Sequence, residues 1–174
     1  RAEEALRESE ERYKALFDSD LDLVYICDFE GRFIAANDAA LNRLGYNREE
    51  IRSLNFASLL SEDQLPLAFK ELQEIIEIGY QKNVIEFRLK AKNGDILIVE
   101  SIGSIIMQKG IPSAVLAIAR DITERKREED ALRDSEKRLT YAQQVAGLGF
   151  WDWNVVTGDL YWSDETYIHF GFKP

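Results

Sequence analysis

The chain has 174 residues, 45% hydrophobic and 11% aromatic, with a mean hydropathy of −0.31, so it holds enough apolar material for a core but no run long enough to cross a bilayer. A formal charge of −10 argues against a nucleic-acid surface, because phosphate neutralisation needs clustered Lys and Arg. A lone cysteine, Cys27, excludes an internal disulfide and points to a reducing, cytoplasmic setting for a soluble protein.

Residues 1–17, RAEEALRESEERYKALF, are good helix formers whose apolar members Ala2, Leu6, Tyr13, Leu16 and Phe17 form a narrow seam on a charged helix. Such a seam suits a partner helix; a solvated capping helix is the competing reading. The charge of this segment is unlike a signal peptide, and a chain that begins without Met and ends at Pro174 is expected to be a piece of something longer.

LVYICD (23–28) and FIAAN (33–37) are short runs of β-formers separated by a turn at Glu30-Gly31, which predicts a hairpin. Asn37 can cap the helix DAALNRLGY, and Gly45 can end it in a left-handed conformation. Capping boxes are expected at Asn47 with Glu50 and at Ser61 with Gln64, the second opening a longer helix through Ile78 that stops at Gly79. Ile85, Phe87, Leu89 and Ala91 alternate with Glu86, Arg88, Lys90 and Lys92, the pattern of a strand with one wet face. Asn93-Gly94 then signals a hairpin into a strand at 96–107, and a turn at Lys109-Gly110 leads to a last strand at 113–122. That strand is apolar on both faces up to Ala119, so its outer face calls for cover by a helix or another chain. Five strands with helices between the second and third predict an α+β domain with room for a core or a small cavity.

Glu3–Tyr13 reappears at Glu128–Leu139, with Ala5, Leu6, Arg7, Ser9, Glu10 and Arg12 answered 126 positions later by Ala131, Leu132, Arg133, Ser135, Glu136 and Arg138. Gly31 has a counterpart in Gly158 and Gly45 one in Gly171. In the second copy GFWDWNVVTGDLYWS predicts two strands, and DETYIHFGF a helix capped by Ser163, after which too little chain follows to complete a sheet. The expected layout is a linker helix at 1–17, a sensor domain at 18–122, a second linker helix at 123–145 and the start of another sensor domain at 146–174.

ESEERYKALFDSDLDLVYICDFEGRFIAAND at the front and AIARDITERKREEDALRDSEKRL at the back resemble a PAS domain with its C-terminal signalling linker, over about residues 9–126; residues 136–174 resemble the front of a second one. The resemblance implies a PAS fold, a five-stranded antiparallel sheet with helices inserted after its second strand. It also implies a cytoplasmic sensory module, most often of a two-component histidine kinase and less often of a cyclic-dinucleotide enzyme. The family residues matching Asp121 and Thr123 couple the sheet to the linker. Read physically, Asp121 ends a strand where its carboxylate can accept from nearby amides, and Thr123 can cap the next helix, although Lys126 stands where a capping box needs Glu or Gln. A plain strand-to-helix turn is the alternative. Leu132 and Leu139, a heptad apart, can pair the linker with its copy in a homodimer.

Little here supports catalysis: no nucleophile and base can be paired, no phosphate loop occurs and no Cys/His cluster suits zinc. The only histidine, His169, lies in the second copy and reads as structural, leaving no proximal ligand for a haem-binding PAS domain. Cys27 sits in an apolar strand, unlike the reactive cysteine of a cysteinyl-flavin photosensor, so both cofactor types are disfavoured and the cofactor stays unknown. A small-molecule ligand remains a candidate, its pocket lined by Asn37, Phe56, Phe69, Ile76, Phe87, Leu89, Ser101, Ser104, Ala117 and Ala119, with a filled core as the competing reading. The function expected is signal relay and dimerisation next to further PAS and kinase domains, with a ligand-binding module regulating a diguanylate cyclase or phosphodiesterase as the alternative.

Overall fold

Alternating apolar residues and well-placed turn residues give the first unit of the chain, up to Glu124, a five-stranded sheet; a second unit runs from Arg125 onward. The computed structural model describes residues 2–19 and 21–173. Helix α1 (Ala2–Ser19) leads into β1 (Leu23–Cys27) and β2 (Phe33–Ala36), followed by α2 (Asp38–Leu44), a 3-10 turn at Glu50–Ser53, α3 (Phe56–Leu59) and α4 (Leu65–Ile78). Strands β3 (Ile85–Lys90), β4 (Ile96–Gln108) and β5 (Ile111–Asp121) complete the sheet in the order β2-β1-β5-β4-β3. Every neighbouring pair is antiparallel. This is the α+β architecture expected from the sequence, with the helices between the second and third strands.

Local chemistry explains each connection. Asp28 accepts from the amides of Glu30 and Arg32, both at 2.9 Å, and closes the first hairpin. Gly31, at φ 78°, is required there twice over, because a Cβ would also lie 2.9 Å from the Phe56 ring. Asn37 Oδ1 accepts from Ala40 N at 2.9 Å to start α2, and Gly45 ends it at φ 77°. Asn47 and Glu50 exchange the reciprocal bonds of a capping box, at 2.9 and 3.0 Å, but the turn they open is only a short 3-10 one.

The box expected at Ser61 and Gln64 does not form. Helix α4 starts one residue after Gln64, whose side chain instead accepts from Arg88 N of β3 at 2.9 Å, while Pro66 removes one first-turn amide that would need a partner. Helix α3 was not foreseen; Asn55 and Ser58 cap it reciprocally. Strand β5 begins at Ile111, two residues before the expected start, because Pro112 is accommodated next to an irregularity in its pairing with β4.

The core lies on one face of the sheet, where Leu23, Phe33, Phe87, Val99 and Val115 meet Leu41, Phe56, Leu72 and Ile75 from the helices. Helix α4 comes close to β4 at Gly103, where a Cβ would lie 2.8 Å from Ile75 Cδ1. On the opposite face Ile34, Ile102 and Ile118 are 43%, 41% and 37% exposed, so the apolar outer side expected of the last strand is open in the described chain. The side chains of Ala2, Leu6, Tyr13 and Leu16, named for the N-terminal seam, lie outside the described residues.

The second unit contains most of α5 (Thr123–Ala146), then a two-stranded ribbon of β6 (Trp151–Trp153) and β7 (Leu160–Trp162), then α6 (Asp164–His169) capped by Ser163. No described helix is long and apolar enough to cross a membrane.

Candidate functional site

Between the inner face of the sheet and α2, α3 and α4 the first unit holds a cavity of about 70 Å³. Its floor is made possible by the small residues Ala117 and Ala119 of β5, which stand opposite Tyr25 and Leu23 of β1, and Tyr25 and Ser101 bring hydroxyls to the same lining. Of the residues expected to line a pocket, Phe56, Phe87, Leu89, Ser101, Ala117 and Ala119 do so.

Four others do not. Asn37 is fully buried but committed to the backbone: Oδ1 accepts from Val24 N (3.0 Å) and Ala40 N (2.9 Å), and Nδ2 donates to Asp22 O at 3.0 Å. Phe69 lies on the outer side of α4, 45% exposed, with its ring 5.8 Å from Phe56. Ile76, one residue after the lining residue Ile75, packs half-buried against the edge of the core. Ser104 falls on the exposed face of β4, opposite Leu116, because strand parity sends Ser101 inward and Ser104 outward.

Four polar or polarisable lining residues were missed: Tyr25, Cys27, Glu71 and Gln81. Glu71 was detectable, because it stands three residues after Ala68 and four before Ile75 on the buried stripe of α4. Gln81 carried no periodic signal; it is placed by the loop after α4, where Gln81 N donates to Gly103 O at 2.9 Å and Ile105 N donates to Gly79 O at 2.8 Å. Burial pushes the Tyr25 hydroxyl up to about 12, and the Cys27 thiol likewise to about 12 with a smaller push from Asp28. Cys27 is therefore a protonated, small core residue.

The second feature is the exit from the sheet. Ile122 N donates to Ile98 O at 2.8 Å, and Thr123 Oγ1 then accepts from Ile98 N at 2.9 Å, standing in for the next rung of the β4–β5 ladder. Thr123 thus bonds across to the neighbouring strand; its expected role as cap of α5 is taken by Asp121, whose Oδ1 accepts from Thr123 N at 2.9 Å and from Thr123 Oγ1 at 2.5 Å. The other carboxylate oxygen holds Arg43 Nε of α2 at 2.5 Å. Burial works to raise the Asp121 pKa, but the bonds from Thr123 and Arg43 outweigh it and keep the carboxyl below its ordinary value.

Helix α2 is also tied at its other end. Asp18, near the end of α1, accepts from Asp38 N and from Arg48 Nη2, both at 3.1 Å. Ala40 and Leu44 on the inner side of α2 line the cavity. One seven-residue helix therefore touches the incoming helix, the cavity and the outgoing junction. Leu132 and Leu139 of α5 are each 61% exposed.

The family profile described as PAS domain matches residues 21–124. A probable diguanylate cyclase of Escherichia coli, DgcE, is 27% identical over 83% of this chain and 13% of its own length. The sensor histidine kinase TmoS of Ectopseudomonas mendocina is 25% identical over 83% of this chain and 15% of its own length. Among solved structures, a domain of a sensory box sensor histidine kinase/response regulator from Geobacter sulfurreducens is 30% identical, covers 67% of this chain and 96% of that one, and superposes with a TM-score of 0.56. The chain thus spans about a seventh of the curated relatives it matches, and nearly all of a single solved sensory domain.

Proposed function

The chain belongs to the PAS domain family of sensory domains, and we propose that it relays a signal through its linkers inside a sensor histidine kinase of a two-component phosphorelay. The observation that carries this reading is the placement of α2. A shift of α2 on the cavity side pulls on Arg43, hence on Asp121, and Asp121 holds the first residue of α5 through Thr123. Because Thr123 is also bonded to β4, the start of α5 moves with the sheet rather than hinging freely.

In this reading residues 18–122 form the sensor, 1–17 and 123–145 are linker helices and 146–174 begin a second sensor. The exposed heptad pair Leu132 and Leu139 gives α5 a seam for its copy in a homodimer, as expected of a coil that transmits by rotation or register. The single, deeply buried thiol fits a cytoplasmic location.

Deleting one residue at Arg133 in the full-length protein tests the relay: kinase autophosphorylation should change several-fold while the domain stays folded. Unchanged output would reduce α5 to a tether. The likeness to DgcE favours a second reading, in which the same module binds a ligand and regulates a diguanylate cyclase or phosphodiesterase; cyclic-di-GMP turnover in place of autophosphorylation would distinguish it.

A further inference from the structure

We infer that the cavity binds a small neutral molecule whose polar end sets an N–H donor beside a carbonyl acceptor, a short amide or lactam, anchored by Gln81 and Glu71. The inference deepens the sensory reading and rests on it for its meaning in the cell, whereas binding itself is measurable on the 174-residue chain alone.

Gln81 is 5% exposed, lines the cavity, and its Nε2 has no hydrogen-bond partner. Buried amide groups are nearly always bonded, and an orphaned donor is costly, so this one marks a place where an acceptor belongs. Its backbone is held against β4 on both sides of Tyr80, which fixes where the side chain enters the cavity wall.

Glu71 is 8% exposed on the buried stripe of α4 and lines the same cavity. Among the described residues, Lys82 and Arg88 pair with Glu74 and Asp63 rather than with Glu71. Glu71 presents only carboxyl oxygens to the cavity, so it favours a ligand that brings a donor over one that brings a second carboxyl group. Tyr25 and Ser101 bring hydroxyls, which both donate and accept and so impose no one-sided demand, and the remaining lining is apolar, for example Leu23, Leu72, Val99 and Ala117. The polar demand of the cavity is therefore one acceptor for Gln81 and one donor for Glu71, which a single amide group meets.

Size narrows the class. About 70 Å³ is several times the roughly 10–15 Å³ that one water needs. It is far below the roughly 300–1,000 Å³ of pockets for drug-sized ligands. A short amide fits this range and a large planar cofactor does not.

The test is amide-detected NMR of the chain titrated with pyrrolidinone and butyramide, with butyrate as the anionic control. Both amides should shift the Gln81 side-chain NH₂ signals saturably, and butyrate should bind at least tenfold more weakly. Gln81→Leu should weaken amide binding at least tenfold with a dispersed, folded spectrum; Glu71→Leu provides the same comparison if the first variant does not fold. Equal binding of butyrate, undiminished binding by folded Gln81→Leu, or no shift at saturating amide, with water alone in the cavity, would overturn the inference. The relay stands or falls separately: a change of output on deletion at Arg133 without amide binding removes the ligand and keeps the relay.

Discussion

Ser163 makes, 126 residues further along the chain, the hydrogen bonds that Asn37 makes in the first unit. Asn37 N donates to Val24 O, and its side chain accepts from Val24 N and Ala40 N. Ser163 N donates to Phe150 O at 2.9 Å, and its hydroxyl accepts from Phe150 N at 3.0 Å and Thr166 N at 3.3 Å. Each partner is displaced by the same 126 positions, so the repeat seen in the charged helix extends to the bonds that tie the start of α2 to β1 and the start of α6 to the residue before β6.

This relationship ranks two substitutions at one site. Asn37→Ala removes the acceptor that serves the amides of Val24 and Ala40 and the donor to the carbonyl of Asp22, at a side chain that is fully buried. It should cost about 2–4 kcal/mol, a cap plus orphaned backbone groups. Asn37→Ser keeps a hydroxyl that serves the two amides in the second unit and should cost roughly half as much. Urea midpoints on the isolated chain check the order; an equal loss for both variants would mean that the Asp22 bond, which serine cannot reach, dominates.

Gly31 and Gly94 separate conformational from steric cost. Both have positive φ, 78° and 93°, but a Cβ at Gly31 would meet the Phe56 ring at 2.9 Å whereas none lies within 4 Å at Gly94. Each change to Ala should cost about 1 kcal/mol for the left-handed backbone. Gly31→Ala should cost ~1–3 kcal/mol more, because a core ring must move. Thermal unfolding of the two variants measures the difference directly.

Much of this fold was legible because its signals are local. Alternation at Ile85–Lys90, the Asn-Gly turn at Asn93 and the glycine ends of α2 and α4 depend only on near neighbours. Ser61 misled because a cap pattern competes with tertiary contacts: Gln64 is drawn to Arg88 N, 24 residues away. The cavity was half legible. Small residues on alternate positions of β5 announced its floor, but strand parity excluded Ser104, and the polar wall depends on where a loop sets Gln81. Likewise nothing in the spacing of Arg43 and Asp121, 78 residues apart, foretold their bond.

Cys27 should be nearly inert to thiol reagents in the native protein. Its thiol is 1% exposed and pushed up to about 12 by burial, so at pH 8 only on the order of one molecule in ten thousand carries the thiolate. Native labelling with a disulfide reagent should be slower than in denaturant by a factor of about a thousand or more. Labelling at a rate close to that of the denatured chain would mean that the cavity opens readily.

The junction makes a pH prediction of definite sign. Asp121 has its carboxyl held below the usual range by Thr123 and Arg43. Its contribution is therefore fully present above the unfolded value, ~3.9, and is lost as pH falls through the lower folded value. Arg43 is half exposed, its side chain at 54%, so screening keeps the charged contribution to about 1 kcal/mol. Asp121→Asn keeps an acceptor for Thr123 but loses the charge, so it should be less stable than the parent by about that amount at pH 7, with the gap closing below about pH 4. Arg43→Met should show a similar loss at pH 7, and the double variant should lose less than the sum, since one bond joins the two sites. Strict additivity in that cycle would break the link from α2 to α5 and, with it, the mechanical path proposed for the signal.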